Sequence, residues 1–536
     1  MKLSISSLAD KSAWAKAEVQ VPNYDVPAMV KRTKEAPVWV HFGAGNFFRG
    51  FVAPLAQRLL EQGDMDRGIV VVSTYNPDII SRIYVPYDNL ILRVLLGADG
   101  TLEREIIGSV AEAIALEQSE PGKRARLEEI FRNPSLQIAS LTITEKGYAL
   151  RGGDGALLPL VEQDMKHGPE KTQHAMGILA GLLYSRYRAG GYPLAVVSMD
   201  NCAQNGTLLS NGIQEMAKAW ECAGLVDQGF LAYLADGSKV AYPWTMVDKI
   251  TPRPDAAVAK DLTQRGIADM EAIVTAKSTY IAPFVNAERP QYLVIEDAFP
   301  AGRPPLDKVG VYLTDQETVS KTERMKVTTC LNPLHTAMSV YGCLLGYIRI
   351  SAEMKDPDIV ALIRRLGYVE GMPVVVNPGI LSPQDFLDEV MQERLPNPFM
   401  PDAPQRIATD TSQKVGIRFG ETIKSYVAQG LDTDTLVAIP LGIAGWLRYL
   451  LAVDDEGQEM SVSPDPLLEE LQGKLAGVVW NDPASYKGQI RDILRNPVIF
   501  RSDLTQTPLA DRIEEMFIEL LAGAGAVRRT LQKYLH

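Results

Sequence analysis

The chain is poor in the residues that bind metals through neighbouring ligands or that form disulfide frameworks. Its 536 residues include 4 cysteines and 5 histidines. The cysteines form no CxxC pair and the histidines form no HExxH motif. We therefore expect neither a disulfide framework nor a metal held by residues close together in the sequence.

Basic segments and long apolar runs are missing as well. The chain has 54 Lys and Arg against 66 Asp and Glu, a net charge of −12, which argues against a nucleic-acid partner. The longest apolar run, residues 435–447, contains Pro440 and is shorter than the roughly 20 residues of a membrane-spanning helix. Residues 1–14 contain charged side chains in place of the apolar core of a signal peptide. We expect a cytoplasmic protein without a membrane segment, as a monomer or a small homo-oligomer.

The strongest local signal lies in residues 38–62. An apolar, strand-like run (VWVHF) is followed by the turn GAGNFFRG and then by residues with helical spacing. This order is typical of a dinucleotide-binding fold, in which Gly43 permits the turn and Gly45 lets the backbone approach the pyrophosphate. Phe48 stands where the third glycine of GxGxxG is expected.

A second apolar strand at residues 68–73 supports the same fold. It is followed by Thr74, Tyr75 and Asn76, and not by the acid that holds the ribose hydroxyls in NAD enzymes. The choice between NAD and NADP is therefore open at this point.

The remaining pattern predicts two domains. Strand-like residues 137–144 and 194–199 alternate with a helix-like stretch at 172–189, which is typical of a parallel α/β sheet. From about residue 320, helical spacing dominates, as in residues 336–347, 405–429, 467–478 and 511–521. We expect a Rossmann-type doubly wound sheet domain over residues 1–305 and a mainly α-helical domain over residues 306–536.

Residues 323–335 place a carboxylate, an amine, an amide and an imidazole in one short segment. Glu323 and Lys326 have the spacing of one helix face, as do Asn332 and His335. Burial lowers the pKa of a lysine, so Lys326 could act as a base near neutral pH, and an adjacent amide could stabilise an alkoxide. From spacing alone, a solvated surface pair of Glu323 and Lys326 is the commoner arrangement.

Five ordered blocks between about Val38 and Arg418 resemble the polyol-specific long-chain dehydrogenases. They are GAGNFFRG at 43–50, TITEKGY at 142–148, SMDN with NG at 198–206, VDKITP at 247–252 and VIED at 294–297. The resemblance implies NAD as cofactor with NADP still open, no metal, and a small sugar acid or polyol as substrate.

The family signature is a lysine followed by an asparagine and a histidine, which correspond to Lys326, Asn332 and His335. The resemblance implies that Lys326 is the general acid/base and that Asn201 and Asn332 hold the oxyanion. His335 would position the substrate, and Glu323 would relay the proton to solvent.

The same resemblance implies one set of substrate-binding residues and one set of cofactor-binding residues. The expected substrate-binding residues are Asp248, Arg406 and Lys414. The expected cofactor-binding residues are Gly43, Gly45, Asn46, Phe47, Phe48, Thr144 and Glu145.

One spacing departs from the family. The asparagine follows the lysine by five positions in the relatives and by six here. On a regular helix the extra residue would rotate Asn332 by about 100° relative to Lys326. Either a π-bulge absorbs the residue or Asn332 is not the family asparagine. Pro333 favours a local break in the helix.

Three hypotheses of function follow. Reduction of fructuronate to D-mannonate is favoured, because Arg406 and Lys414 could hold a carboxylate. Oxidation of mannitol or arabinitol to a ketose is the alternative within the family. A catalytically silent sugar- or nucleotide-sensing protein is the alternative from another class, and the longer spacing between Lys326 and Asn332 is the feature that favours it.

Overall fold

A computed structural model describes residues 1–117, 120–143, 145–275 and 277–536. The chain forms two compact units. The first comprises Met1–Gly97 and Thr101–Ser320, and the second comprises Ala98–Gly100 and Lys321–His536. Residues 306–320 belong to the first unit, because the strand Tyr312–Thr314 pairs with Tyr292–Glu296 there.

The first unit contains strands and helices in alternation. The strands are β1 (Val19–Gln20), β2 (Trp39–Phe42), β3 (Ile69–Ser73), β4 (Ile91–Leu96), β5 (Leu102–Ile107), β6 (Val110–Ala115), β7 (Ile138–Leu141), β8 (Leu194–Ser198), β9 (Val240–Ala241), β10 (Thr245–Asp248), β11 (Ile273–Val274), β12 (Tyr280–Ile281), β13 (Phe284–Glu288), β14 (Tyr292–Glu296) and β15 (Tyr312–Thr314). The helices are α1 (Lys11–Lys16), α2 (Val26–Glu35), α3 (Ala53–Gln62), α4 (Pro121–Arg132), α5 (Glu145–Tyr148), α6 (Pro159–His167), α7 (Ala175–Arg188), α8 (Asn205–Cys222), α9 (Gln228–Ala235), α10 (Ala256–Gln264) and α11 (Gln316–Met325), which crosses into the second unit.

The main sheet has six parallel strands in the order β6-β3-β2-β7-β8-β9. This is the strand order of a doubly wound dinucleotide-binding sheet, whose order reverses between β2 and β7. The predicted Rossmann-type domain is confirmed, and its four predicted strands correspond to β2, β3, β7 and β8.

The strands of this sheet are apolar because both faces are covered. Alternate residues of β3 enter opposite cores: Val70 and Val72 join one cluster, and Ile69 and Val71 join the other. The two-residue period of a strand explains this division.

Smaller sheets complete the first unit. Their strand orders are β1-β5-β4-β13, β10-β14-β15 and β11-β12. These sheets were not predicted from the sequence. Their strands β1, β11 and β12 have only two residues each, whereas the apolar runs of β4 and β14 were overlooked.

The second unit is helical in its described residues, as predicted. Its helices are α12 (Asn332–Leu344), α13 (Ile350–Glu353), α14 (Pro357–Arg364), α15 (Pro383–Glu389), α16 (Pro404–Ile407), α17 (Thr411–Val415), α18 (Glu421–Gln429), α19 (Ala438–Tyr449), α20 (Leu468–Lys474), α21 (Gln489–Leu494), α22 (Pro497–Phe500), α23 (Leu509–Leu520) and α24 (Ala526–Leu535). π-Helical segments of the two units lie at Phe48–Val52, Ile80–Tyr84, Lys326–Cys330, Arg365–Gly371, Val390–Arg394 and Gly416–Gly420.

The long helix expected over residues 405–429 is interrupted. Helix α16 ends at Ile407 and α17 begins at Thr411, after Asp410 adopts a left-handed conformation with φ of +54°. The break escaped the periodicity analysis because Asp410 is a short polar residue, which tolerates this conformation. No helix of the described residues is long and apolar enough to cross a membrane.

Candidate active site

The glycine turn in the first unit connects β2 to the following helix. Gly43 has φ of +124°, and its N–H donates to the carbonyl of Val72 at 2.8 Å. A Cβ atom on Gly43 would lie 2.2 Å from Oγ1 of Thr142, just after β7. The backbone therefore passes so close to the neighbouring strand that only glycine fits.

Gly45 lies on the open side of the same turn. A Cβ atom there would meet no atom within 4 Å. The backbone N–H of Arg49 donates to the carbonyl of Gly45 at 3.1 Å, so the N–H groups between these residues lie at the N-terminus of the helix. Open space beside such N–H groups fits the pyrophosphate of a dinucleotide.

The two phenylalanines of the turn differ in burial. Phe48 is fully buried and its ring stacks on that of His41, with centroids 4.7 Å apart. Phe47 is partly buried and packs edge-on against Phe51 at 5.5 Å. Any cofactor contact of Phe48 therefore falls to its backbone, whereas part of the Phe47 side chain is accessible.

Three other predicted cofactor residues have different surroundings. The Nδ2 atom of Asn46 donates to the carbonyl of Pro252 at 3.5 Å. Thr144 lies outside the described residues, and Glu145 is the first residue of α5.

Asn201 lies in the exposed turn between β8 and α8. The carboxylate of Asp200 holds this turn, since it accepts hydrogen bonds from Oγ of Ser198 at 2.6 Å, from N of Cys202 at 2.8 Å and from the hydroxyl of Tyr148. The turn at Asn201 is thus anchored to the end of a central strand.

Asp248 is the last residue of β10 and is buried. Its strand pairs antiparallel with β14, where Asp248 stands opposite Tyr292. The structure therefore places this predicted substrate residue at a strand end of the first unit.

Lys326 begins a π-helical segment in the second unit. It is only 7% exposed, and its carbonyl accepts from N of Leu331, five residues later, at 3.1 Å. This five-residue bond identifies the segment as a π-helical turn, the first of the two alternatives that the extra residue left open. The role of Asn332 stays a prediction.

The helix breaks directly after this segment. Leu331 has φ of −134° and ψ of −61°, and α12 begins at Asn332, followed by Pro333. The predicted break at Pro333 is confirmed. Asn332 and His335 therefore share the first turn of a new helix.

Glu323 lies one helical turn before Lys326 and is partly buried. Burial raises the pKa of the Glu323 carboxyl group, and the positive charge of Lys326 limits that rise. Glu323 and Lys326 are therefore partly shielded from water. They differ in this from the solvated surface pair that their spacing alone favours.

His335 lies among charged groups of the second unit. Its pKa is lowered to about 4, mainly by burial. The carboxylate of Asp402 opposes this shift, and the guanidinium groups of Arg418, Arg394 and Arg406 contribute to it. His335 is therefore a neutral imidazole at neutral pH, which can both donate and accept a hydrogen bond.

The predicted residues Arg406 and Lys414 differ in their exposure. Arg406 is exposed and forms an ion pair with Asp402. Lys414 is partly buried and donates to the carbonyls of Ile407, at 3.4 Å, and Thr409. Burial lowers the pKa of Lys414.

Arg418 is a member of this group that the sequence analysis missed. Its guanidinium donates to Oγ1 of Thr336, the neighbour of His335, at 2.5 Å. Burial lowers its pKa to about 10, and its positive charge also lowers the pKa of Lys414. A signal was present, because Arg418 follows Lys414 by four residues and thus lies on the same face of a helix.

The described residues contain no group of three His, Cys, Asp or Glu side chains placed to hold a metal ion.

Comparison with known proteins identifies the class. Residues 37–308 match the family model of the mannitol dehydrogenase Rossmann domain, and residues 318–520 match that of the mannitol dehydrogenase C-terminal domain. With the dinucleotide-type turn, these matches define an oxidoreductase that acts on CH–OH groups. The chain belongs to the mannitol dehydrogenase family, as its motifs predicted.

Three relatives show which members of this family the chain resembles. A D-mannonate oxidoreductase of Thermotoga maritima is 51% identical over 536 residues, 99% of each chain. A polyol:NADP oxidoreductase of Gluconobacter oxydans is 29% identical, with 86% of this chain and 88% of the relative covered. The structure of Pseudomonas fluorescens mannitol 2-dehydrogenase with NAD and D-mannitol has a TM-score of 0.69 at 27% identity, with 99% of each chain covered.

Proposed function

We propose that this protein is an NAD-dependent dehydrogenase that interconverts fructuronate and D-mannonate. The observation that carries the proposal is the 51% identity to a D-mannonate oxidoreductase over almost the whole of both chains. The buried Lys326 supports it as a proton-transfer group, and the glycine turn supports it as a dinucleotide site.

In the direction of reduction, bound NADH supplies a hydride to the carbonyl carbon of the sugar acid. The carbonyl oxygen then needs one proton, which we assign to the ammonium group of Lys326. The amide of Asn332 stabilises the developing negative charge on that oxygen. Glu323 returns a proton to Lys326, and burial, which raises the pKa of its carboxyl group, favours the protonated form that this role needs.

The charges around His335 favour an acidic substrate. Arg418, Arg394 and Arg406 all lower the pKa of this imidazole, and the carboxylate of Asp402 raises it. Guanidinium groups bind carboxylates through charge-assisted hydrogen bonds. We therefore assign the carboxylate of the substrate to this basic group, and a sugar hydroxyl to the neutral His335.

Oxidation of mannitol or arabinitol is the second candidate, favoured by the likeness to a mannitol 2-dehydrogenase.

Three further statements stay predictions. They are the roles of Asn201 and Asp248 in the site, a cytoplasmic location, and a monomeric or small homo-oligomeric state.

A substrate panel tests the proposal. The specificity constant kcat/KM is measured by NADH absorbance with fructuronate and fructose, and with D-mannonate, mannitol and arabinitol in the reverse direction. We expect fructuronate to exceed fructose by more than about tenfold, since a charge-assisted pair contributes about 1.5–3 kcal/mol. A preference for fructose contradicts the assignment. NADH binding without turnover of any substrate would favour the catalytically silent alternative.

A further inference from the structure

The end of β3 is the part of a doubly wound sheet that lies beside the adenosine ribose of a bound dinucleotide. An acid at this position binds the ribose hydroxyls and repels a 2′-phosphate. Here β3 ends at Ser73, whose Oγ donates to the carbonyl of Asn76 at 2.8 Å. Thr74, Tyr75 and Asn76 then follow, so the strand end carries no acid.

Hydrogen bonds connect a hairpin to the loop at this strand end. The Nδ2 atom of Asn76 donates to Oγ1 of Thr279 at 2.8 Å and to Oγ1 of Thr275 at 3.3 Å. Arg82 donates to the carbonyl of Val274 at 3.4 Å. These bonds fix the β11–β12 hairpin beside the loop that follows β3.

The hairpin brings a cation to the strand end. The ammonium group of Lys277 lies 5.2 Å from the centroid of the Tyr75 ring, which is 71% exposed. Lys277 and Arg82 are both exposed. The ammonium group of Lys277 therefore lies beside an exposed aromatic ring, and Arg82 contacts the same hairpin.

A third cation lies between this place and the glycine turn. The guanidinium of Arg253 stacks 5.5 Å from the ring centroid of Tyr280, on β12. Its neighbour Pro252 accepts the hydrogen bond from Asn46 of the turn. Arg253 thus follows a residue that contacts the glycine turn, and its guanidinium lies against the hairpin that contacts the loop after β3.

We propose that Lys277, beside Tyr75, recognises a 2′-phosphate on the adenosine ribose, so that the enzyme accepts NADP(H) as well as NAD(H). Such a phosphate carries between one and two negative charges near neutral pH and prefers cationic donors. The flat face of Tyr75 suits stacking of the adenine base. This inference rests on the proposed function only where turnover is measured.

The test uses nucleotides without nicotinamide. Binding of 2′,5′-ADP and of 5′-AMP to the full chain is measured by calorimetry, for the wild type and for Lys277→Ala and Lys277→Glu. Lys218→Ala, which removes an exposed lysine of α8, is the matched control. We expect the wild type to bind 2′,5′-ADP more tightly, and Lys277→Ala to weaken it about tenfold, the effect of losing one charge-assisted bond.

In the same variants, the ratio of kcat/KM with NADPH to that with NADH should fall, most strongly in Lys277→Glu. Equal binding of the two nucleotides, failure to bind either, or a preference that survives Lys277→Ala would overturn the inference. A retained preference for 2′,5′-ADP without turnover of any sugar would instead contradict the proposed function alone.

Discussion

At the scale of single residues, Glu353 is the most unusual group of the second unit. Its carboxyl group is fully buried, and neither oxygen has a hydrogen-bond partner among the described residues. A Cβ atom on Gly342 would lie 2.3 Å from its Oε1, so the neighbouring helix accommodates Glu353 only through a glycine. Burial, with the negative charge of Asp356, raises the pKa of Glu353 to about 9.

This carboxyl group predicts a pH dependence of stability. The pKa is higher in the folded than in the unfolded state, so the unfolded state ionises first as pH rises. The free energy of unfolding then falls by up to about 1.4 kcal/mol per pH unit between the unfolded pKa and about 9. Glu353→Gln removes this ionisation.

We expect Glu353→Gln to unfold at a higher temperature than the wild type at pH 8, with the difference shrinking toward pH 5. Thermal unfolding followed by circular dichroism measures it, with Glu456→Gln in an exposed turn as control. An unfolding temperature that falls in the variant by the same amount at every pH would argue against a neutral Glu353.

Residue identities were only partly predictable from the sequence. Lys326, Glu323 and His335 were found because they lie close together in the chain. Arg418 and Asp402 were missed, because their electrostatic relation to His335 joins segments that are distant in the sequence. Lys277 was missed for the same reason, since it reaches Tyr75 from a hairpin about two hundred residues later.

At the scale of elements, the glycine turn offers a matched pair of substitutions. Gly43→Ala places a methyl group against Thr142 in a left-handed conformation, so we expect it to lower the unfolding temperature. Gly45→Ala meets no protein atom, so we expect it to leave the unfolding temperature unchanged and to weaken NADH binding about tenfold or more.

Thermal unfolding and NADH fluorescence titration measure the two effects separately. If Gly45→Ala bound NADH as the wild type does, the turn would not be the pyrophosphate site.

The π-helical segment at Lys326–Cys330 predicts a second effect at this scale. Deletion of Thr328 would restore the five-position spacing of the family, and a regular helix with that spacing gives Asn332 the orientation that the π-bulge gives it here. We expect kcat for fructuronate to stay within about tenfold of the wild-type value, because the proton donor and the oxyanion amide would still converge.

Circular dichroism and NADH titration check that the deletion variant remains folded and binds cofactor. The substitution Thr328→Ala, which keeps the chain length and removes only the hydroxyl bond to Arg324, is the control. A fall in kcat of about 100-fold or more in a folded, NADH-binding deletion variant would contradict the view that the π-bulge only absorbs the extra residue.

Helices and strands were predictable where their hydrophobic pattern extended over many residues. Strands β2, β3, β7 and β8 form continuous apolar runs, and α7, α12 and α23 have clear helical spacing. The smaller sheets were not predicted, because strands such as β11 and β12 have two residues each and depend on their partners.

At the scale of the whole molecule, each unit contributes a distinct set of groups to the proposed chemistry. The first unit has the doubly wound sheet and the glycine turn, and the second has the buried Lys326 and the charged group around His335. The extra residue that had favoured a catalytically silent protein is accommodated by a π-helix, so it is compatible with an ordered site.

The central claim is that Lys326 transfers the proton to the reduced carbonyl. The most direct measurement compares kcat for fructuronate and the Kd for NADH in the wild type, in Lys326→Ala and in Arg324→Ala, an exposed control on the same helix. We predict that Lys326→Ala lowers kcat by at least about 100-fold with NADH affinity unchanged, because it removes a proton donor and not a cofactor contact. Turnover in Lys326→Ala equal to that of Arg324→Ala would contradict the claim.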